Sequence, residues 1–351
     1  MVCIRHWLNR QIHVEIRHMT KHIPSIRIGV LVFPGCLKSG AMAPIDVFKV
    51  ANTVAQLRPA KQRVHFEAFW ISARKARVTN IDGVQFPTSR FDEATLQALM
   101  VPPIDHDAPS QLTGLLEQLT PERRALQAYA ATGGLMTASC SSTCLLAHAG
   151  LLGGRRATTS WWLGAYFRQR FPEVELDAEQ LIVHDRNIVS SGGVTSYFDL
   201  ALWLVGHYGG DPLRQAVAKI LVMDASRRSQ APYITSALIQ SDGHAIIERA
   251  RRWLNQRLDQ PWAMAELAAY CNTSPRTLLR RFQDAIGMSP VRYTQQLRVE
   301  RAKALLESTQ LSLEDITQRC GYADVSTFSK VFKQWVQSTP RDHRLRFGLR
   351  R

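Results

Sequence analysis

Cysteine is scarce in this chain. Six occur in 351 residues, at positions 3, 36, 140, 144, 271 and 320, and none forms a C-x-x-C pair. The usual cysteine zinc spacings are therefore excluded, and no metal or other cofactor is expected. No uninterrupted apolar run reaches the ~18–20 residues needed to cross a bilayer, which leaves the membrane out as a partner. The opening stretch "MVCIRHWLNRQIHVEIRHMTKHIPSIR" scatters charge and has no apolar core of signal-peptide length. Reduced thiols and a cytoplasmic location are expected in consequence. Met1 and Met19 are both compatible with the start of translation. The glycine-rich "GLLGGRR" lacks the Lys-Ser/Thr that a phosphate loop requires. In "IDHDAPS", His106 stands between Asp105 and Asp107, but one loop triplet is too little to hold a metal.

Acidic residues are in short supply only at the ends. The chain carries a net charge of +15, and residues 31–242 are close to neutral, with 20 basic residues against 18 acidic. Residues 243–351 hold 19 against 10, a net of +9. A neutral body followed by a basic third points to a polyanionic partner for that third.

Residues 26–222 alternate strand-like and helix-like segments. "IRIGVLVF" is a β-branched apolar run ended by Pro34-Gly35, as in a buried parallel strand. "VHFEAFWIS", "GVQFPTS", "LQALMV" and "GLMTAS" are further strands, and "LIVHDRNIVSSGG" gives two around an Asp-Arg-Asn turn. Helical spacing marks "APIDVFKVANTVAQL", "PERRALQAYAATGG" and "SYFDLALWLVGHYG". The expected fold is an α/β domain, a mostly parallel sheet with helices on both faces. A polar segment at 223–242 reads as a linker, with a leader at 1–25 and a basic tail at 346–351.

The basic third, 243–345, is all-helical and repeats itself. Helix Met264–Cys271 is followed by a short turn, then Ser274 as N-cap with Pro275 in the first turn of a second helix. Leu278 and Phe282 share the inner face, leaving Arg276, Leu279, Arg280 and Arg281 around the others. Arginines presented by a short helix suit a major groove, where they pair with guanine or neutralise phosphate. The arrangement recurs in Leu313–Cys320, a turn at Gly321-Tyr322, and Asp324 capping Val325–Trp335. Phe328, Val331 and Phe332 face inward there. One connecting helix over "PVRYTQQLRVERAKALLES" would set two helix-turn-helix units on a rigid spacer, able to enter successive major-groove faces one helical turn apart.

The residues S-P-R-T-L-L-R-R-F at 274–282, L-R-x-x-R-A-x-x-L-L at 297–306, and G-Y-x-D-x-S-x-F-S-K-x-F-K at 321–333 with T-P-R after it resemble the AraC/XylS DNA-binding domain. The resemblance implies a transcription regulator on double-stranded promoter DNA. It places Arg276, Leu279 and Arg280 toward bases in the first unit, and Val325, Ser326, Thr327, Ser329 and Lys330 at the DNA in the second. Gln337 stands where a helix-ending glycine is usual, and His343 where tyrosine is usual.

"TASCSSTCLLAHAG" has the pattern of a nucleophile elbow, a short strand, a sharp turn and a helix of small residues, with Cys140 at the turn. A helix N-terminus there lowers a thiol pKa, but catalysis also needs an oriented base. "LVFPG…APIDVF", "LAHAGLLGGRRATTSWW" and "VSSGGVTSYFDLALWLV" resemble the PfpI-type, class I glutamine amidotransferase-like domain of GlxA-type AraC regulators. The resemblance implies a histidine after Thr-Thr and an acid after the first strand; this chain has Ser160 and Gly40. Serine cannot serve as a base near neutral pH, so no enzyme is expected. The alternative is a cysteine-dependent hydrolase or glyoxalase-like enzyme fused to a DNA-binding module.

Three roles for Cys140 stay open: lining an effector pocket at the strand C-termini, core packing, and redox sensing. A pocket there would be lined by Gly40, Cys140, Ser141, Ser160 and Trp161. Adjacent residues leaving a strand point to opposite faces, so at most one of Trp161 and Trp162 faces the pocket, where its ring would offer a cationic ligand cation–π attraction; the other reading is that both are core residues. By analogy with relatives, the effector would be an amino-acid-derived or quaternary amine. An activator, homodimeric on direct-repeat half-sites and able to touch RNA polymerase, completes the expectation.

Overall fold

The computed structural model describes residues 24–74, 78–225, 227–234 and 245–348. The leader up to residue 23, residues 235–242 of the linker and the last three residues of the tail lie outside them.

The first half alternates as its apolar runs predict. In chain order it contains β1 (Ser25–Leu31), α1 (Lys38–Gln56), β2 (His65–Ser72), β3 (Val78–Ile81), β4 (Val84–Pro87), β5 (Ser89–Arg90) and β6 (Ala98–Val101). Then come α2 (Leu112–Gln118), α3 (Thr120–Ala131), β7 (Leu135–Ser139), α4 (Ser142–His148), β8 (Arg156–Ala157), α5 (Gly164–Arg170) and β9 (Glu175–Leu176). The hairpin β10 (Ile182–Asp185) and β11 (Ile188–Ser191) leads to α6 (Tyr197–Gly209) and α7 (Asp211–Ile220). Seven strands form one sheet in the order β10-β11-β7-β6-β1-β2-β5. Every pairing in it is parallel except that of β10 with β11.

The strand order reverses between β1 and β6, which lie side by side although β2 follows β1 in the chain. Such a switch point is where open α/β sheets hold ligands. Here the loops beyond the two strands are zipped together. Cys36 and Ile104 form an antiparallel bridge, Leu37 N–H donates to Pro103 O at 2.7 Å, and Asp105 N–H donates to Gly35 O at 2.7 Å.

The second half is helical: α8 (Ala245–Asn255), α9 (Met264–Tyr270), α10 (Pro275–Ile286), α11 (Pro290–Ser308), α12 (Leu313–Arg319), α13 (Val325–Val336) and α14 (Pro340–Phe347). Five of these helices start on a side-chain cap. Ser274, Ser289, Ser312, Asp324 and Thr339 each accept the N–H three residues ahead, a bond worth about 1 kcal/mol apiece. Helix α11 is about 28 Å long at 1.5 Å per residue and serves two cores. Its Tyr293 and Leu297 close the core built on Leu254, Leu267, Leu278 and Phe282. Its Val299, Ala302 and Leu306 close the core built on Ile316, Phe328, Phe332 and Val336. Burial on two flanks leaves it without a single apolar stripe. No described helix is long and apolar enough to cross a membrane.

Candidate functional site

The two helix-turn-helix units present matching surfaces. In α10 the apolar Leu278, Phe282 and Ile286 are buried, and Arg276, Leu279, Arg280 and Arg281 are exposed. Leu279 keeps 46% of its surface in water. An exposed leucine between arginines is a candidate contact for a thymine methyl group. In α13, Asp324 Oδ1 accepts the Thr327 N–H at 2.7 Å. Ser326, Thr327 and Lys330 are exposed there, with Val325 and Ser329 half-buried. The structure thus brings each set of predicted residues onto an exposed helix face. The peripheral departures also find places. Gln337 takes the left-handed φ of +58° that ends α13, as Gly287 does at +80° after α10. His343 is buried and its Nε2 lies 2.8 Å from Glu307 Oε1.

The elbow forms as the sequence implies, and its thiol is shut in. Cys140 has φ of +57°, between the end of β7 and the start of α4. A non-glycine residue in this region costs about 1–2 kcal/mol. The conformation is held from three sides: Cys140 N–H donates to Ser191 O at 2.7 Å, and its carbonyl accepts from Thr143 N–H and from the Thr159 hydroxyl at 2.8 Å. The Cys140 side chain is buried and accepts the Ser160 hydroxyl at 2.7 Å; Ser160 in turn accepts the Gly193 N–H at 3.0 Å. Burial pushes the Cys140 thiol above its ordinary range, and the Ser160 hydrogen bond offsets only part of that. Cys144 is fully buried and is raised for the same reason. No imidazole or carboxylate hydrogen-bonds either thiol among the described residues.

The other residues proposed for the elbow pocket face protein atoms. Ser141 donates to Ile104 O at 2.8 Å and accepts Ile104 N–H at 2.9 Å. Gly40 lies inside α1, where a Cβ would come 2.5 Å from Pro103 Cδ. An acidic side chain has no room there. Trp161 and Trp162 leave no strand, because they form a 3-10 turn, Trp161–Leu163, and their rings meet edge-on. They still diverge. Trp162 packs on the α/β core, and Trp161 packs on the core of the first helix-turn-helix unit. His106 turns back to Ile104 O at 2.9 Å, and no three metal-type side chains converge among the described residues.

Trp161 belongs to a junction between the halves. Gln230, in the polar segment read as a linker, is 3% exposed. Its amide donates to Thr159 O at 2.8 Å and Gln180 O at 3.2 Å, and accepts from Trp161 N–H at 3.2 Å. A Cβ on Gly192 would meet this side chain at 2.0 Å, so glycine there permits the approach. Glu179 pairs with Arg292 of α11 at 2.9 Å, and that guanidinium lies 5.3 Å from the Trp335 ring centroid. Gln230, Gly192 and the Glu179–Arg292 pair were missed by sequence reasoning. Neither a period nor a motif marks a lone glutamine in a polar stretch.

A helix-turn-helix domain family matches residues 267–346. Over 304 residues the chain is 30% identical to the HTH-type transcriptional regulator GbdR of Pseudomonas aeruginosa, covering 85% of this chain and 81% of that one. The regulator CdhR of the same species is 25% identical over 326 residues, 90% of each chain. Among solved structures, an AraC family transcriptional regulator from Pseudomonas putida aligns with 56% of this chain and 99% of its own, at 21% identity and a TM-score of 0.45. With two helix-turn-helix units behind a mostly parallel α/β domain, and likeness to GbdR over most of both chains, this chain belongs to the AraC family of helix-turn-helix transcriptional regulators.

Proposed function

We propose that the chain is a metabolite-responsive activator, homodimeric and cytoplasmic, whose α10 and α13 read promoter DNA while the α/β domain senses a small molecule. The observation that carries this reading is the pair of capped helices joined by α11, with Arg276, Leu279 and Arg280 exposed on one and Ser326, Thr327 and Lys330 on the other. The α/β domain touches the same units through Trp161 and through Glu179–Arg292. An effector acts through such a junction only if it binds one arrangement better than another. Dimerisation through the α/β domain would match direct-repeat half-sites, and a promoter-bound dimer stands within reach of RNA polymerase. Part of the chain, 104 residues long, is 33% identical to a protein named as an activator, RhaS of Klebsiella pneumoniae.

A non-enzymatic role is supported by the protonated, buried Cys140 and by Ser160 in the position of a base. The test is selection of DNA sites by the full chain, followed by a reporter on the recovered site. Recovery of one repeated site with raised transcription is expected. Selection of no sequence at all would sink the reading, and so would cysteine-dependent turnover abolished by Cys140→Ser.

A further inference from the structure

A cavity of about 490 Å³ lies between β10, α6, the start of α7 and the linker residues Ala225, Arg227 and Arg228. None of its lining residues belongs to the elbow, and its size falls in the range of small-ligand sites, roughly 300–1,000 Å³. Three arginines face it against two aspartates: Arg214, Arg227 and Arg228, with Asp199 and Asp211. Two of the cations are taken. Arg227 is hydrogen-bonded to Asp199, and Arg214 Nε donates to Asp211 at 2.7 Å. Arg228 is exposed and has no ion pair among the described residues. Its backbone is nonetheless fixed, since its carbonyl accepts Leu181 N–H at 2.9 Å and the next residue, Ser229, bridges Gln180.

The opposite wall is aromatic. The Trp203 ring is stacked with His207, at 4.9 Å and 13°, and met edge-on by His184 at 5.0 Å. Burial pushes the His207 pKa below its ordinary value, which favours the neutral ring. A cationic ligand would face Arg228 and find no free carboxylate, because Asp199 and Asp211 already pair with Arg227 and Arg214. A purely apolar one would leave Arg228 without a partner and shield it from water.

We propose that this cavity binds a small organic carboxylate with a planar body, the carboxylate on Arg228 and the body against Trp203 and His207. Its linker wall runs directly into Ser229 and Gln230, which bond Glu179 O, Thr159 O and Trp161 N–H. Occupancy would therefore bear on the segment that ties the α/β domain to the first helix-turn-helix unit. This consequence rests on the reading of the chain as an effector-responsive regulator; binding itself does not.

The test is calorimetry on the full chain with benzoate, then with inorganic phosphate, in the absence of DNA. Saturable benzoate binding is expected, weakened at least about tenfold by Arg228→Ala, as for loss of a charge-assisted hydrogen bond, and unchanged by Cys140→Ser. Trp203→Leu should weaken it as well; if that variant fails to fold, the exposed Arg228 still decides the matter. No saturable binding, or binding indifferent to Arg228→Ala, overturns the site. Phosphate binding as tightly as benzoate overturns the aromatic half of the assignment. A chain that binds benzoate but selects no DNA sequence would keep this site and lose the proposed function.

Discussion

Ser160 donates its hydroxyl to the Cys140 sulfur across 2.7 Å, and both side chains are buried. The residue that stands where a base would be needed acts as a hydrogen-bond donor to a neutral thiol. Alkylation with iodoacetamide at pH 8 should leave the peptide containing Cys140 unmodified in the native protein and modify it fully in denaturant. Rapid native labelling, read by peptide mass spectrometry, would reveal an accessible thiolate and contradict this geometry.

Gln230→Ala removes a side chain that bonds two backbone carbonyls and the Trp161 N–H. A loss of roughly 1–3 kcal/mol in stability is expected from the unpaired groups left behind. Limited proteolysis should then cut near residue 230 faster than in the parent. An unchanged cleavage rate would mean that the segment is held by other contacts.

Arg280→Ala should weaken DNA binding by about 1–3 kcal/mol and relax preference at one base pair, whereas Lys330→Ala should lower the salt dependence of binding by about one unit of slope. Site-selection and salt titrations of both variants separate the two effects. An equal loss on every sequence would make Arg280 a phosphate contact.

Glu179 and Arg292 are both substantially solvent-exposed, so their ion pair is worth at most about 1 kcal/mol. Glu179→Gln should therefore leave the melting temperature nearly unchanged. A melting temperature lowered by ten degrees would show that the pair matters to folding itself.

His343 is buried, and burial pushes its pKa below the ordinary value despite the opposing bond to Glu307. The folded state thus disfavours its protonation. Its contribution to stability is complete above the unfolded pKa of about 6.5 and is lost as the pH falls from there through the folded value. Melting of the parent should drop between pH 7 and pH 5 more steeply than that of His343→Tyr. Parallel curves for the two proteins would remove His343 as the cause.

Periodicity and punctuation in the chain were enough for the alternation of strands and helices, the two capped units and the elbow. These depend on contacts between neighbours in sequence: Ser274 and Asp324 cap the residues three ahead, and the apolar spacing of Leu278 and Phe282 sets which face is buried. The missing base was legible too, as Ser160 after Thr-Thr. What only the tertiary structure decided are pairings over long separations. Gly40 excludes an acid because Pro103 fills the space, Trp161 serves a core more than 80 residues away, and Gln230 stitches a polar segment to the sheet. Each depends on close packing between segments whose local sequences carry no trace of one another, and close packing is settled only when the whole chain has folded.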